Sequence, residues 1–257
     1  MSIHPTAVID PRAEIDAEVE IGPYVVIEGP VKIQRRTRVM PHATIMGWTG
    51  IGEENEIHPG AVVGDAPQDK AYSGAESYLR IGDHNVFREL VQVNRGTAPG
   101  SSTVIGNHNY LMAGSHVGHN CNLGDHIVLA NGALLGGYVE VGDRAFISGH
   151  CVVHQFVRVG ELSLMRGLSG ASRDVPPYSI VDWQHTVRGV NVVGLKRVGL
   201  DERRIRALKE AFRLLFRKGR NLSLAIKEIE GNKDLSPEVI ALLEFVKSSK
   251  RGVCFGS

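Results

Sequence analysis

The chain has 257 residues, 42% hydrophobic and 22% charged, with a formal net charge of +1. That composition suits a globular protein with ample core, and since no apolar run approaches the ~18 residues a membrane span needs, no transmembrane segment is expected. MSIHPTAVID lacks a basic stretch followed by an apolar one, and three cysteines without a CxxC pair suit a reducing compartment, so the expected location is cytoplasmic.

From Ile3 the chain repeats in sixes: IHPTAV, IDPRAE, IDAEVE, IGPYVV, and later LMAGSH, VGHNCN, LGDHIV, LANGAL. The first place of each hexad, from Ile3 to Met165, holds Ile, Val, Leu, Met or Phe except at Asp69, Ala75 and Pro99. The fifth place is small or β-branched at Ala7, Ala13, Val19, Ala43, Ala61, Ser115, Cys121, Ala133, Ala145 and Cys151. An amphipathic helix would space apolar residues by three and four, and a half-buried strand would alternate by two. A strict period of six predicts short strands joined by tight corners. Three hexads close an eighteen-residue coil, and because one coil cannot bury its aliphatic column, coils stack at about 4.8 Å each into a parallel β-helix. The frequent glycine in the second place is expected to supply backbone conformations closed to other residues. Cys121 and Cys151 read as core fillers.

Where the first column fails, around DKAYSGAESYLR and PGSSTV, the sequence predicts loops leaving the coil at 69–80 and 99–104. The hexads end near SRDVPPYS, where Pro176 and Pro177 remove two backbone donors. The β-helix is therefore assigned to 1–178 and a C-terminal α-helical domain to 179–257, joined by GVNVVGLKRVG. Asp201 is a candidate N-cap for a helix whose Ile205, Leu208, Phe212, Leu215 and Phe216 share one face, with Gly219 ending it. A second helix is expected over LSLAIKEIE, and a third opened by Ser236 with Pro237 in its first turn. Residues 188–220 carry eleven Lys or Arg, against Asp201, Glu202 and Glu210. Such a segment favours an acidic partner, and its few aromatics argue against nucleic acid; a solvated helix face is the plainer reading.

Positions eighteen apart lie above one another, so His119, Gly137 and Gln155 form a column, with Tyr138, His154 and His116 nearby. His119 and Gln155 are then roughly 10 Å apart, two coil rises. An imidazole suits a general base on a hydroxyl nucleophile, and the bare N–H groups of Gly136 and Gly137 suit an oxyanion. Spacing alone leaves equal room for chance clustering among eleven histidines.

HPTAVID, PQD followed by Tyr72, RGT at Arg95 to Thr97, LMAGSHVGHNC, VHQF, DVPPY and GVNVVGLKR stand in the order and near the spacing of the acyl-[acyl carrier protein]:UDP-N-acetylglucosamine O-acyltransferases of lipid A biosynthesis, which this chain resembles over essentially its whole length. The resemblance implies a left-handed parallel β-helix, homotrimers with active sites between subunits, and no cofactor. It implies transfer of a fatty acyl group, expected to be 3-hydroxylated, from acyl carrier protein to the glucosamine 3-hydroxyl of UDP-N-acetylglucosamine. His119 matches the general base and Gly137 the oxyanion-hole glycine. Gln68, Asp69, His116, Tyr138, His154, Gln155, Asn191 and Arg197 match substrate-binding positions, and Gly167 the position where side-chain bulk limits acyl length. Acyl carrier protein is acidic, so Arg203, Arg204, Arg206 and Arg213 are docking candidates.

Departures from the family pattern are Asn120 for an aspartate after the catalytic histidine, Tyr138 for a histidine, Val193 for a glutamate, and QDKAY with its lysine moved to Lys70. Competing readings are N-acyl transfer to a 3-amino sugar nucleotide, a γ-carbonic-anhydrase-like zinc enzyme using His116 and His119, and a scaffold without activity.

Overall fold

The computed structural model describes residues 2–216, 221–232 and 234–256. Strands of two to four residues alternate in strict rotation among three parallel sheets, so each coil contributes one strand to each face of a triangular prism. The first face holds the strands of Ser2–Ile3, Glu20–Ile21 and their successors, the second those of Val8–Ile9 and Val26–Glu28, and the third those of Glu14–Ile15 and Lys32–Ile33. Ser2 pairs with Glu20 and Val104 with Asn122, the eighteen-residue register expected. The first and fifth places point inward from Val19 onward: Ile27, Ile45, Leu111, Val117, Leu135, Ala43, Ala133 and Cys151 are all at most 1% exposed. Burial pushes the Cys121 thiol up to about 12, so it behaves as an apolar filler.

Two sequence readings need correction. The second-place glycines Gly52, Gly82, Gly106 and Gly118 do not adopt positive φ, although Gly64 does; fourth-place residues adopt it regularly, among them Asn120 (59°), Tyr138 (60°) and Phe156 (65°). What glycine supplies at Gly82 is room for the next coil: a Cβ there would lie 2.8 Å from the Gly106 carbonyl oxygen. The excursions also start earlier than expected. Tyr78 pairs with Trp48 and Ser102 with Tyr78, so strands Tyr78–Ile81 and Ser102–Ile105 belong to the third face, and the excursions are 66–77 and 95–101. They add twelve and six residues, whole hexads, so the column phase carried no mark of where they begin.

The expected boundary after residue 178 cuts across a continuous sheet. Ser179–Asp182 extends the first face in parallel with Leu164 and Met165, Thr186–Val190 returns antiparallel, and Phe255–Gly256 adds to its edge. Among the described residues, four helices follow the returning strand: α1 Val192–Arg197, α2 Glu202–Leu215, α3 Leu222–Glu230 and α4 Pro237–Ser248. Asp201 caps α2 by accepting from the Arg204 N–H, and Ile205, Leu208, Phe212 and Leu215 are buried. Gly219 lies outside the described residues; the C-cap of α2 is Phe216. Pro237 occupies the first turn of α4, whose Val239, Leu242, Leu243 and Val246 are buried. Arg158 ties α4 to the coil, reaching both Asp174, 2% exposed, and the Phe245 carbonyl. No described helix is long and apolar enough to cross a membrane.

Candidate active site

The corner between the second and third faces is built from Gly118–His119–Asn120, then Gly136–Gly137–Tyr138, then His154–Gln155–Phe156. Their backbones lock in register, with the Tyr138 N–H donating to the His119 carbonyl (2.9 Å) and the Phe156 N–H to the Gly137 carbonyl (3.0 Å). The His119 ring lies directly on Gly137. A Cβ there would be 2.5 Å from both Cε1 and Nε2, so only glycine leaves room for the imidazole. Tyr138 meets that ring edge-on at 5.3 Å and stacks on Phe156 at 4.8 Å.

Both excursions fold back over this corner, and His119 is only 9% exposed as a result. Asp69, on the first, brings Oδ2 to 3.6 Å from Nε2. Thr97, on the second, places Oγ1 at 2.7 Å from Nδ1, and Asn120 Oδ1 stands 3.0 Å from the same nitrogen. The first excursion is anchored by Arg95, which donates to the Gly64 carbonyl and the Tyr72 hydroxyl, both at 2.8 Å, while its guanidinium lies over the Trp48 and Tyr72 rings. Sequence reasoning matched RGT and Tyr72 to a motif without assigning them these tasks.

His116 lies on the outer side of the second face; burial, and secondarily the neighbouring His119, hold it below the ordinary imidazole value. His154, Gln155 and Gln68 are exposed, and His154 Nδ1 lies 3.5 Å from Arg251. An open cleft of about 470 Å³ beside the corner is lined by Asn120, Tyr138, Phe156, Arg158, Lys250 and Arg251.

Three expected site residues are elsewhere in the same chain. Gly167 follows the strand Leu164–Met165 at the corner between the first and second faces. Asn191 caps α1 through Oδ1 while its amide donates to the Leu162 carbonyl at 2.8 Å, and Leu162 belongs to the corner between the third and first faces. Arg197 ends α1 with its side chain exposed. Among the docking arginines, Arg204 is committed to Glu238, which is 8% exposed, while Arg203, Arg206 and Arg213 are exposed. The described residues hold no group of three His, Cys, Asp or Glu arranged for a metal ion, so the zinc reading finds no ligand set among them.

Residues 174–254 match the family described as UDP N-acetylglucosamine O-acyltransferase, domain 2, and residues 102–137 match the bacterial transferase hexapeptide repeat. An acyl-[acyl-carrier-protein]–UDP-N-acetylglucosamine O-acyltransferase of Syntrophobacter fumaroxidans is 46% identical over 98% of this chain and 99% of the relative. One of the same description from Thermodesulfovibrio yellowstonii is 43% identical over 98% of each. The crystal structure of a UDP-N-acetylglucosamine acyltransferase from Bacteroides fragilis superposes with a TM-score of 0.94 at 38% identity, covering 98% of this chain and 99% of that one. With identities of this size over nearly the full length of each chain, the protein belongs to the acyl-[acyl-carrier-protein]–UDP-N-acetylglucosamine O-acyltransferase family.

Proposed function

We propose that this chain transfers a fatty acyl group, 3-hydroxylated in the natural donor, from acyl carrier protein to the 3-hydroxyl of UDP-N-acetylglucosamine, the first step of lipid A biosynthesis, in the cytoplasm. The observation that carries the reading is His119: its Nδ1 is held by two oxygens, its Nε2 faces the covered corner, and its ring lies on a glycine. Nε2 takes the proton of the sugar hydroxyl as that oxygen bonds to the thioester carbonyl carbon. The resulting oxyanion accepts from the Gly137 N–H, for which no protein acceptor is recorded among the described residues. Collapse breaks the carbon–sulfur bond, and the departing thiolate receives the proton from the imidazolium. Asp69 and Gln68 reach the sugar from the first excursion, and His154, Gln155 and Tyr138 from the corner. His116, held neutral by burial, lines the way along the second face.

The site is completed by other copies of the chain. His119, Gly167 and Asn191 with Arg197 belong to three different corners of one prism. Outward residues support a trimer. Beyond Glu20, Arg38 and Glu56 on its earlier coils, the first face presents Val86, Val128, Phe146 and Leu164, and the second presents Val26, Val62, Leu134 (42% exposed) and Val152 (50% exposed) along with Gln92 and His116. The third face presents Glu14, Lys32, Arg80, Asn122, Glu140 and Arg158. Two faces that are largely apolar over their later coils, beside one polar face, suit three prisms packed about an axis there with their third faces in water. The acyl chain then lies over Leu134 and Val152 toward Gly167, whose lack of a side chain admits a long chain. Acyl carrier protein docks on the basic surface of α2, where a cleft of about 360 Å³ is lined by Arg188, Lys209, Phe212 and Arg213.

The test is initial-rate assay of the purified protein with acyl carrier protein thioesters of graded length, against UDP-N-acetylglucosamine and its 3-amino analogue. Ester formation with the hydroxyl sugar is expected; turnover of the amino sugar alone would replace this acceptor. Light scattering is expected to give three chains per particle, and an active monomer would sink the shared site.

A further inference from the structure

The second excursion has a use that the coil itself does not require. Gly96 lets this excursion close on itself, since a Cβ there would lie 2.5 Å from the Ser101 carbonyl oxygen, and its N–H donates to the Tyr78 carbonyl. That closure delivers Thr97 to the His119 corner with two contacts. Its backbone N–H donates to Asn120 Oδ1 at 3.0 Å, and its Oγ1 stands 2.7 Å from His119 Nδ1. Asn120 itself is fixed in left-handed backbone, which asparagine tolerates well, with its N–H donating to Thr103 Oγ1 at 2.7 Å.

These contacts determine a proton. An asparagine amide has one accepting and one donating end, and the Thr97 N–H, itself a donor, requires the oxygen to face it. The same oxygen is 3.0 Å from Nδ1, so Nδ1 must be the protonated nitrogen; a lone pair there would oppose the amide oxygen. Asp69, 3.6 Å from Nε2, is too distant to hold a proton on that side by hydrogen bonding. We propose that Thr97 and Asn120 together hold His119 as the Nδ1–H tautomer with Nε2 unprotonated, which makes Thr97 a positioning residue for proton abstraction. The lock needs an acceptor at position 120 and not a charge, which is how asparagine serves there. The catalytic part of this statement rests on the acyltransfer reading; the tautomer does not.

The experiment labels the imidazole nitrogens with ¹⁵N and reads His119 by NMR at pH 8, its signals assigned by their loss in His119→Gln. Wild type is expected to carry the proton on Nδ1. Thr97→Val removes the nearer acceptor, at 2.7 Å, but keeps the backbone N–H, and is expected to admit part of the Nε2–H form; Asn120→Leu is expected to admit more of it. Their kcat should fall roughly tenfold and a hundredfold respectively with little change in KM, the scale on which orienting partners of a functional histidine act. Thr97→Ser and Asn120→Asp keep an acceptor in place and should restore both readouts, Asn120→Asp with the acid limb of its pH–rate profile moved upward by the added charge. A wild-type His119 protonated on Nε2 overturns the proposal, as does a Thr97→Val protein whose tautomer and kcat are unchanged. If the Nδ1–H form is found but His119→Gln turns over normally, the lock stands and the general-base reading falls.

Discussion

Replacing Gly137 with alanine tests the site by a single methyl group. The added carbon would lie 2.5 Å from both Cε1 and Nε2 of His119, where apolar contact needs about 3.5 Å, so the ring must retreat by about 1 Å. Gly137 is not among the positive-φ residues, so alanine adds no backbone strain and the effect falls on the imidazole. Retreat stretches the Nδ1 contacts to Thr97 and Asn120, now 2.7 and 3.0 Å, and moves Nε2 away from the acceptor hydroxyl. A misplacement of that size costs on the order of 100-fold in rate, about 2.7 kcal/mol of transition-state stabilisation. The stability cost is smaller, about 1 kcal/mol for an off-rotamer ring, which lowers Tm by only a few degrees. Initial rates with acyl carrier protein thioester and UDP-N-acetylglucosamine give the first quantity and a thermal melt the second. Gly50→Ala is the control, because a Cβ there meets nothing within 4 Å, and it should remain fully active. A Gly137→Ala enzyme within threefold of wild type would refute the ring-on-glycine account of the site.

Arg95→Met removes the anchor of the first excursion, including both 2.8 Å hydrogen bonds. KM for the sugar nucleotide should rise about tenfold while kcat changes less, and an unchanged KM would show that this loop does not hold the acceptor. Asn85→Ala cuts a buried ladder in which Asn85 donates to the Asn55 side chain and the Gly106 carbonyl and accepts from the Asn109 N–H. Urea melts should show a loss of about 3 kcal/mol, and a loss under 1 kcal/mol would mean that water replaces these bonds. His116, lowered by burial and then by His119, and His185, lowered by burial and then by Arg173, favour the neutral ring in the folded chain. The unfolded chain therefore binds more protons once pH falls below about 6.5, so this stability is complete above that pH and lost as pH drops through the folded values. Thermal melts between pH 7.5 and 5 should show the decline, and a His116→Gln protein should decline less steeply; identical slopes would contradict the assignment.

The parts of the fold legible in the sequence are those that repeat. Ile27, Ile45 and Val63 could be placed inward by counting sixes, and His119, Gly137 and Gln155 could be placed on one edge by counting eighteens. Counting failed where the chain leaves the coil. Insertions of twelve and six residues keep the phase, so the sequence showed that loops exist but not that Tyr78–Ile81 and Ser102–Ile105 are strands. The same insertions hid the contacts that Thr97 and Asp69 make with His119, which cross 22 and 50 positions that no repeat relates. The asparagine ladder was available in principle, since Asn55, Asn85 and Asn109 all occupy fifth places where small residues prevail. A polar side chain recurring in an inward column signals hydrogen bonding along the stack.

Stacking also limits what one chain can do. A period of eighteen fixes distance along an edge in steps of about 4.8 Å, but it relates nothing on one edge to anything on another. A ligand with a nucleotide, a sugar and a long acyl chain needs groups arranged across that direction. In this protein one way of supplying them is to insert residues, and the two excursions do so for His119 by bringing Asp69 and Thr97 to it. The other way is to borrow an edge from another copy of the prism. Gly167, Asn191 and Arg197 lie on edges that no excursion connects to His119, while Leu134 and Val152 leave an apolar strip on the face between the His119 and Gly167 corners. A surface of that kind is stable in water when a neighbouring prism covers it. The apolar strip and the divided site thus have one explanation: the proposed trimer buries the first and makes the second whole.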